Sequence, residues 1–467
     1  MSPSKAKLGL TRFDGAVFLT AAALIALLLL VIASGDNVGV SIIQFRPEGT
    51  ANSASIISIE FSETMNHESV AAHFSINPPV TGAISWAGST LIFNPAEPLP
   101  PDQTITVLLG GGAAAQSGRL LLRDLHFSFI VEAPRIAYLA PADAAPANLW
   151  IANPADPASA RQITFSAAGL YDFSVSPSGT LIAFSENADE TSAQDIHLLN
   201  LETGALEQIT NCANAVCANP VWRPDGQMIV YERAELAGGT TAHAARLWLL
   251  DLTRRPVETQ LLFSDLGQLG RSPQWSADGR RLILYDPALS AILLYDFTTD
   301  APEIVATHAD GSGALSPDGT ILIYPELVVG DGISTHSSLQ WVNLAENQVI
   351  PITDPPQAID DARAAWRPDG QQIAISRRDE SVMRGYQIYL LDPETFAVRR
   401  ITDDPRYSNM YFQWDSSGQS LVIHRFPQLD ENMQLSLNGL PEIWTLNTQT
   451  GELIQVAENA WMPRWLP

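Results

Sequence analysis

Residues 221–231 read VWRPDGQMIVY, and the pattern they set recurs along the chain. An apolar or tryptophan strand end runs into a turn and then into a short β-rich stretch. The other copies are SVSPSG at 174–179, QWSADG at 274–279, ALSPDG at 314–319, AWRPDG at 365–370 and QWDSSG at 413–418. They are followed by LIAF, LILY, ILIY, IAIS and LVIH, where the 221–226 copy has MIVY. Proline presets φ at the first corner, Asp or Ser takes the next, and Gly accepts a positive φ. Each copy is therefore a predicted hairpin.

A second column follows each hairpin: IHLLN (196–200), LWLLD (247–251), ILLYD (292–296), LQWVN (339–343), IYLLD (388–392) and IWTLN (443–447). Each is a strand ending in Asp or Asn, and several continue through a Gly-containing turn into a fourth strand, as in LETGALEQIT (201–210). Four short strands repeating every 40–53 residues or so is the pattern of a propeller blade.

A seventh unit is split. RIAY (135–138), LWIAN (149–153) and RQIT (161–164) match strands two, three and four, while MPRWLP at 462–467 is a first strand alone. Together they complete one blade from the two ends of the repeat. The predicted fold class is all-β, with a seven-bladed β-propeller over 135–467 (six if the first segment is a linker) closed by this pairing. Trp222, Trp275, Trp366, Trp414 and Trp465 share one column and are expected to pack between adjacent blades.

The WxPDG turn followed by IxxY/F resembles the TolB-type propeller repeat, found also in the propellers of prolyl oligopeptidases. That resemblance covers about 330 residues. It implies binding more often than catalysis.

Residues 38–132 have another rhythm: short alternating strands with Pro/Gly-rich breaks, as in ISIEFSETM (57–65), TLIFNPAEPLPPDQTITV (90–107) and HFSFIVE (126–132). This argues for a β-sandwich. The order of these pieces resembles the bacterial Ig-like domain of SbsA type, with Phe61, Ser62, Glu63, Met65, Phe93, Pro95 and Phe127 at its motif positions. GGGAAAQSGRLLLRD (110–124) departs from that pattern where the family often has an Asp-Gly-rich turn. Such modules are spacers or adhesive units, and Glu63 and His67 read as solvated turn residues, not as a catalytic pair.

Composition fixes the setting. Lys5, Lys7 and Arg12 precede an uncharged run from Gly15 to Gly35, long enough as a helix for about 30 Å of hydrocarbon. The expectation is a transmembrane helix at 15–35 with residues 1–14 cytoplasmic and the bulk of the chain extracytoplasmic. The alternative is secretion after signal cleavage near Ala33-Ser34-Gly35. From position 36 on, 23 basic residues face 50 acidic ones, a balance of −27, which disfavours nucleic acid as a partner. Lysine occurs only at positions 5 and 7, excluding lysine general-base or Schiff-base chemistry outside. Cys212 and Cys217, the only cysteines, are expected to form a disulfide. No metal-ligand spacing and no cofactor motif appears.

Loop length locates the expected site. The Pro-Asp-Gly turns are tight, whereas the loops at 185–195, 232–246, 325–338, 377–387, 403–411 and 424–442 are long, and all emerge on the opposite face of the disc. Glu186, Asp189, Arg377, Arg378, Asp379, Arg406, Tyr407 and Arg425 are the candidate binding residues there. No catalytic residue is assigned. There is no G-x-S-x-G elbow of a propeller-gated peptidase, and PDG is not the Ser-x-Asp-x-Gly box of sialidases. The expected function is a non-enzymatic, membrane-anchored binding or scaffold protein engaging a protein or cell-envelope polymer. A propeller glycosidase or lyase using channel carboxylates and an extracytoplasmic ligand sensor are the alternatives.

Overall fold

The structure, a computed structural model, describes residues 12–33, 39–188, 192–237, 240–241, 244–263, 268–329, 335–346, 348–352, 359–379, 384–430, 432–436 and 439–467. The apolar run lies in a 22-residue helix, Arg12–Ala33. Among the described residues, however, no helix is long and apolar enough to cross a membrane. The transmembrane expectation for 15–35 is thus not carried by the structure.

Residues 39–131 hold two four-stranded sheets. One orders Ile42–Arg46, Ile57–Phe61, Thr90–Pro95 and Gly82–Ala87; the other orders Gly49–Ala51, Leu125–Val131, Thr104–Leu109 and Phe74–Asn77. Period-two alternation buries Ile57, Ile59, Phe61, Leu91 and Phe93 from the first and Ile105, Val107, Leu109, Phe127 and Phe129 from the second. Asn66 caps the short helix His67–His73 by accepting from the Ser69 amide at 3.0 Å. Glu63 and His67 have separate partners. Glu63 takes the Ser117 hydroxyl and lies 3.6 Å from Arg119, while the His67 ring stacks on Trp86 at 4.3 Å.

From Arg135 on, the described strands fall into seven groups of four. One nine-stranded sheet is two such groups plus the two-residue strand Thr240–Thr241 beside Met228–Ala237, the groups joined by the single parallel pair Gln194↔Val216. The turns between first and second strands follow one rule. Gly179, Gly226, Gly279, Gly319, Gly370 and Gly418 have φ of 68–74° and donate to the carbonyl three residues back. A β-carbon is disfavoured at that φ, which is why the glycine recurs.

The seventh-unit fragments meet. Trp461–Leu466 pairs antiparallel with Arg135–Ala140, through Trp465↔Ile136 and Arg464↔Ala137, at the end of the order Asp156–Gln162, Asn148–Asn153, Arg135–Ala140. Asn459 adds a clamp, accepting from the Ala142 amide at 2.9 Å and donating to Asp143 at 2.6 Å.

Among the described residues, seven apolar clusters each straddle one group and the next. The cluster around Phe173 and Ile182 takes Ala137, Leu139 and Leu466 from the two-ended group. On the other side of that group, Ile136, Tyr138 and Trp465 pack with Val422 and Ile443. The indoles lock these contacts. Trp222, Trp366, Trp414 and Trp465 donate to the carbonyls of Ser174, Ala314, Ala365 and Gln413, each on the first strand of the preceding group, at 3.0–3.3 Å. Trp275 fills the same column, but its Nε1 has no partner. Cys212 and Cys217 form a disulfide.

Trp465→Ala is expected to cost about 3–5 kcal/mol by leaving a cavity between the two ends and the preceding group. Urea denaturation of the full chain checks this; a loss below about 1 kcal/mol would mean the tail adds little to the sheet.

Candidate binding face

Most candidate residues lie on strands, contrary to the loop expectation. Glu186 is in Leu181–Asn187, Arg377, Arg378 and Asp379 are in Ile373–Asp379, Tyr407 opens Tyr407–Trp414, and Arg425 is in Ser420–Pro427. The loop at 325–338 is largely a hairpin, with Pro325↔Leu339 through Val329↔Thr335 in register. Strands here outrun the apolar core, so their charged ends read as loop by composition. Asp189 lies outside the described residues. Arg406 precedes the strand. Every described candidate still sits at the end of the groups opposite the Pro-Asp-Gly turns.

Two charged clusters form there. In the first, Arg377 makes a bidentate pair with Asp361 at 2.7 and 2.8 Å, and the Asp361 side chain is fully buried. Arg378 reaches Asp360 at 2.7 Å and stacks over Tyr386 at 5.1 Å, while the Tyr386 hydroxyl donates to Asp360 at 2.7 Å. Burial, then the bond to Asp360, pushes the Tyr386 pKa up. These arginines hold strands together and are not free for a partner. Asp379 is paired in the ladder with Ile359. Glu186 lies 3.5 Å from His197.

The second cluster is built differently. Arg425, only 2% exposed, stacks its guanidinium 3.9 Å from the Tyr407 ring centroid and 4.8 Å from that of Trp444. Arg406 bonds Asp404 at 2.7 Å, and its guanidinium lies 5.7 Å from the Tyr407 ring centroid. The Arg406 hydrogen bond holds the Asp404 carboxyl below its ordinary range. Gln387 ties the two clusters, donating to the Asp404 and Tyr407 carbonyls at 3.1 and 2.9 Å. Tyr407, Arg406 and Trp444 stay half-buried, a preorganised rim of aromatic and guanidinium surface.

A cavity of about 470 Å³ opens at the same end, lined by Tyr171, Asp172, Asn219, Glu232, Arg271 and Trp461 among others. Sequence reading missed these residues. The Asp172 carboxylate accepts the Asn219 amide at 2.5 Å, and Glu232 accepts the Ser272 amide at 2.7 Å and the Asn219 side chain at 2.6 Å. Burial raises both carboxyl pKa values, against these hydrogen bonds. The legible signal was a proline two residues before the tryptophan column, in NPVW, SPQW and MPRW. The residue before each of those prolines has φ of 52–53°, at a bulge of the first strand. At two of them, Asn219 and Ser272, the bulge aims an N–H at a neighbouring carboxylate. Among the described residues, no group of three or more His, Cys, Asp or Glu is placed to hold a metal ion.

Residues 36–131 match the family described as bacterial Ig-like domain. No curated relative matches the sequence. Solved structures similar to this chain include TolB from Acinetobacter baumannii, at 16% identity over 92% of this chain and 99% of that one, TM-score 0.42. Oligogalacturonate lyase from Vibrio parahaemolyticus is 15% identical over 69% and 86%, TM-score 0.45. The β-propeller domain of the Trilobed protease from Pyrococcus furiosus is 18% identical over 63% and 97%, TM-score 0.37. The chain is thus all-β with an Ig-like domain and TolB-like propeller neighbours, and likeness at this level assigns no activity.

Two outcomes are expected. Arg377→Ala strands a buried carboxylate and costs about 3–5 kcal/mol, whereas Arg377→Met with Asp361→Leu recovers most of it; denaturant midpoints of the three proteins check this. Burial, with Arg464 second, lowers the His424 pKa from 6.5 to about 4. The native state therefore binds fewer protons than the unfolded chain, so the stability from neutral His424 is whole above pH 6.5 and is lost as pH falls toward 4. Wild type should lose about 3 kcal/mol more than His424→Gln across that window; identical pH profiles would contradict the assignment.

Proposed function

We propose that this chain is a membrane-anchored, extracytoplasmic binding protein whose seven strand groups are the blades of a propeller closed by its two ends. Its long-connection face engages a protein or cell-envelope polymer. The observation that carries the reading is Arg425 stacked between Tyr407 and Trp444, with Arg406 alongside. Arginine, tyrosine and tryptophan dominate interface hot spots, and a rim already held by packing gives up little entropy on binding. The anchor is proposed from the uncharged run Gly15–Gly35 behind three basic residues. Fractionation tests it: protein in the membrane pellet with its N-terminus intact supports the anchor, and soluble protein starting near residue 36 removes it.

The partner face is tested by cross-linking pull-down from the native envelope. Arg406→Glu and Tyr407→Ala are expected to abolish capture of the partner while Asp225→Ala and Asp369→Ala, in the tight turns, leave it intact. Loss in the turn variants instead would place the interface on the other face. Arg377 and Arg378 are unsuited to this test, because reversing them breaks the pairs with Asp361 and Asp360.

A second reading, a glycosidase or lyase, is favoured by one observation: Asp172 and Glu232 line the cavity with carboxyl pKa values raised by burial. Turnover of a glycoside or uronide that disappears in both Asp172→Asn and Glu232→Gln supports it, and no turnover in wild type counts against it.

A further inference from the structure

We propose that Arg363 and Arg464 form an oxyanion-binding site on the inner face of the first strands, taking the carboxylate or phosphate group of a small ligand. The inference rests on the ring of blades proposed above and is independent of the partner face.

The strands Ile359–Trp366, Tyr407–Trp414 and Trp461–Leu466 are the first strands of three consecutive groups. Counted back from their tryptophans, Arg363 and Tyr411 stand at minus three, and Gln413 and Arg464 at minus one. Period two puts all four on one side of their strands. The alternating residues Phe412 and Trp414 point into the packing between groups. Arg363 and Arg464 therefore flank Tyr411 and Gln413 from either side. The Arg363 guanidinium lies 5.3 Å from the Tyr411 ring centroid.

Pairing and enclosure together set these two apart: among the described residues Arg161, Arg255, Arg399 and Arg400 also make no ion pair with a carboxylate, but they are exposed on outer strands and a turn, whereas burial dominates Arg363 and Arg464. In this acidic chain Arg233, Arg271, Arg281, Arg367, Arg377 and Arg406 each lie within 2.6–3.3 Å of a carboxylate. Among the described residues, neither Arg363 nor Arg464 makes such an ion pair; Arg464 donates only to its neighbour's carbonyl, Pro463, at 3.0 Å. Arg363 is solvent-exposed and Arg464 half-exposed, yet burial is the largest influence on both, pulling the guanidinium pKa down, Arg464's to about 10. Side chains that touch solvent while enclosed by protein line an internal passage. The next influence on Arg464 is repulsion from Arg363, and Asp172 opposes it.

Two arginines face one carboxylate and one imidazole there. Asp172, whose pKa burial raises, is the one carboxylate acting on Arg464, and it keeps one oxygen, Oδ1, without a partner. His424, opposite Tyr411 in the ladder, is neutral at pH 7 and its Nε2 has no partner. Two like-charged guanidiniums, a tyrosine, an unpartnered imidazole nitrogen and the Gln413 side chain make a donor-rich, locally positive lining inside a strongly negative protein. Guanidinium forks match carboxylate and phosphate oxygens, and an oxyanion between them would remove their repulsion. Asp172 and Met462 line the 470 Å³ cavity, which places that cavity beside the strand carrying Arg464.

The test is thermal unfolding of the full chain with succinate, citrate or inorganic phosphate, against sodium chloride at equal ionic strength. Wild type is expected to show a saturable rise in Tm following the binding isotherm, with the carboxylate and phosphate arms showing which oxyanion is preferred. Arg363→Gln and Arg464→Gln should each reduce the apparent affinity at least tenfold. A linear, unsaturating rise in all three proteins is the general salting effect and overturns the proposal, as does no rise in wild type. If Arg464→Gln fails to fold, Arg363→Gln, at an exposed position, decides alone. A saturable anion response alongside unaltered partner capture in Arg406→Glu keeps this site and removes the partner face.

Discussion

Backbone pairing of Trp461–Leu466 with Arg135–Ala140 is the constraint on which the rest of the 135–467 unit depends. A row of strand groups packed face to face leaves one apolar face bare at each end. Here the group built from both ends of the segment buries Ala137 and Leu139 against Phe173 on one side, and Ile136 and Tyr138 against Val422 on the other. Trp465 serves twice. Its backbone joins the first group, and its indole bonds Gln413 of the last. With that strand in place, both apolar faces of the two-ended group are covered.

The polar interior follows from the same geometry. Bulges interrupt six of the seven first strands among the described residues. Where Pro220 and Pro273 follow a left-handed residue, the freed amide is taken by a carboxylate, Asp172 or Glu232. Elsewhere Asp361 spends itself on Arg377. Asp172, Glu232 and Asp361 are thus structural acceptors, and among the described residues neither Arg363 nor Arg464 forms an ion pair with any of them.

The architecture was largely legible in the sequence because its signals are local. The Pro-Asp-Gly turn demands a glycine at positive φ, the tryptophan column repeats at fixed distance from it, and the split unit shows as strands missing at one end and present at the other. The Cys212–Cys217 pair was legible for the same reason. The site was not, because its signals are between groups. Arg377 looked like a loop cation, and only the partner strand reveals Asp361 opposite it. Asp172 and Glu232 looked like two of many acids, since nothing in their own strands says that an amide of the next group points at them. Arg406, Tyr407 and Arg425 were named as candidates from loop length, whereas what groups them is the stacking of Arg425 on Tyr407 and on Trp444, a residue that reading left out.

The central claim is that both ends of the segment belong to one cooperative sheet. Amide hydrogen exchange of the full chain, followed by mass spectrometry, tests it most directly. The account predicts that peptides spanning 135–140 and 461–466 exchange together, at the same free energy as the inner strands of the other groups. Exchange of 461–466 that is orders of magnitude faster, with 135–140 still protected, would contradict it.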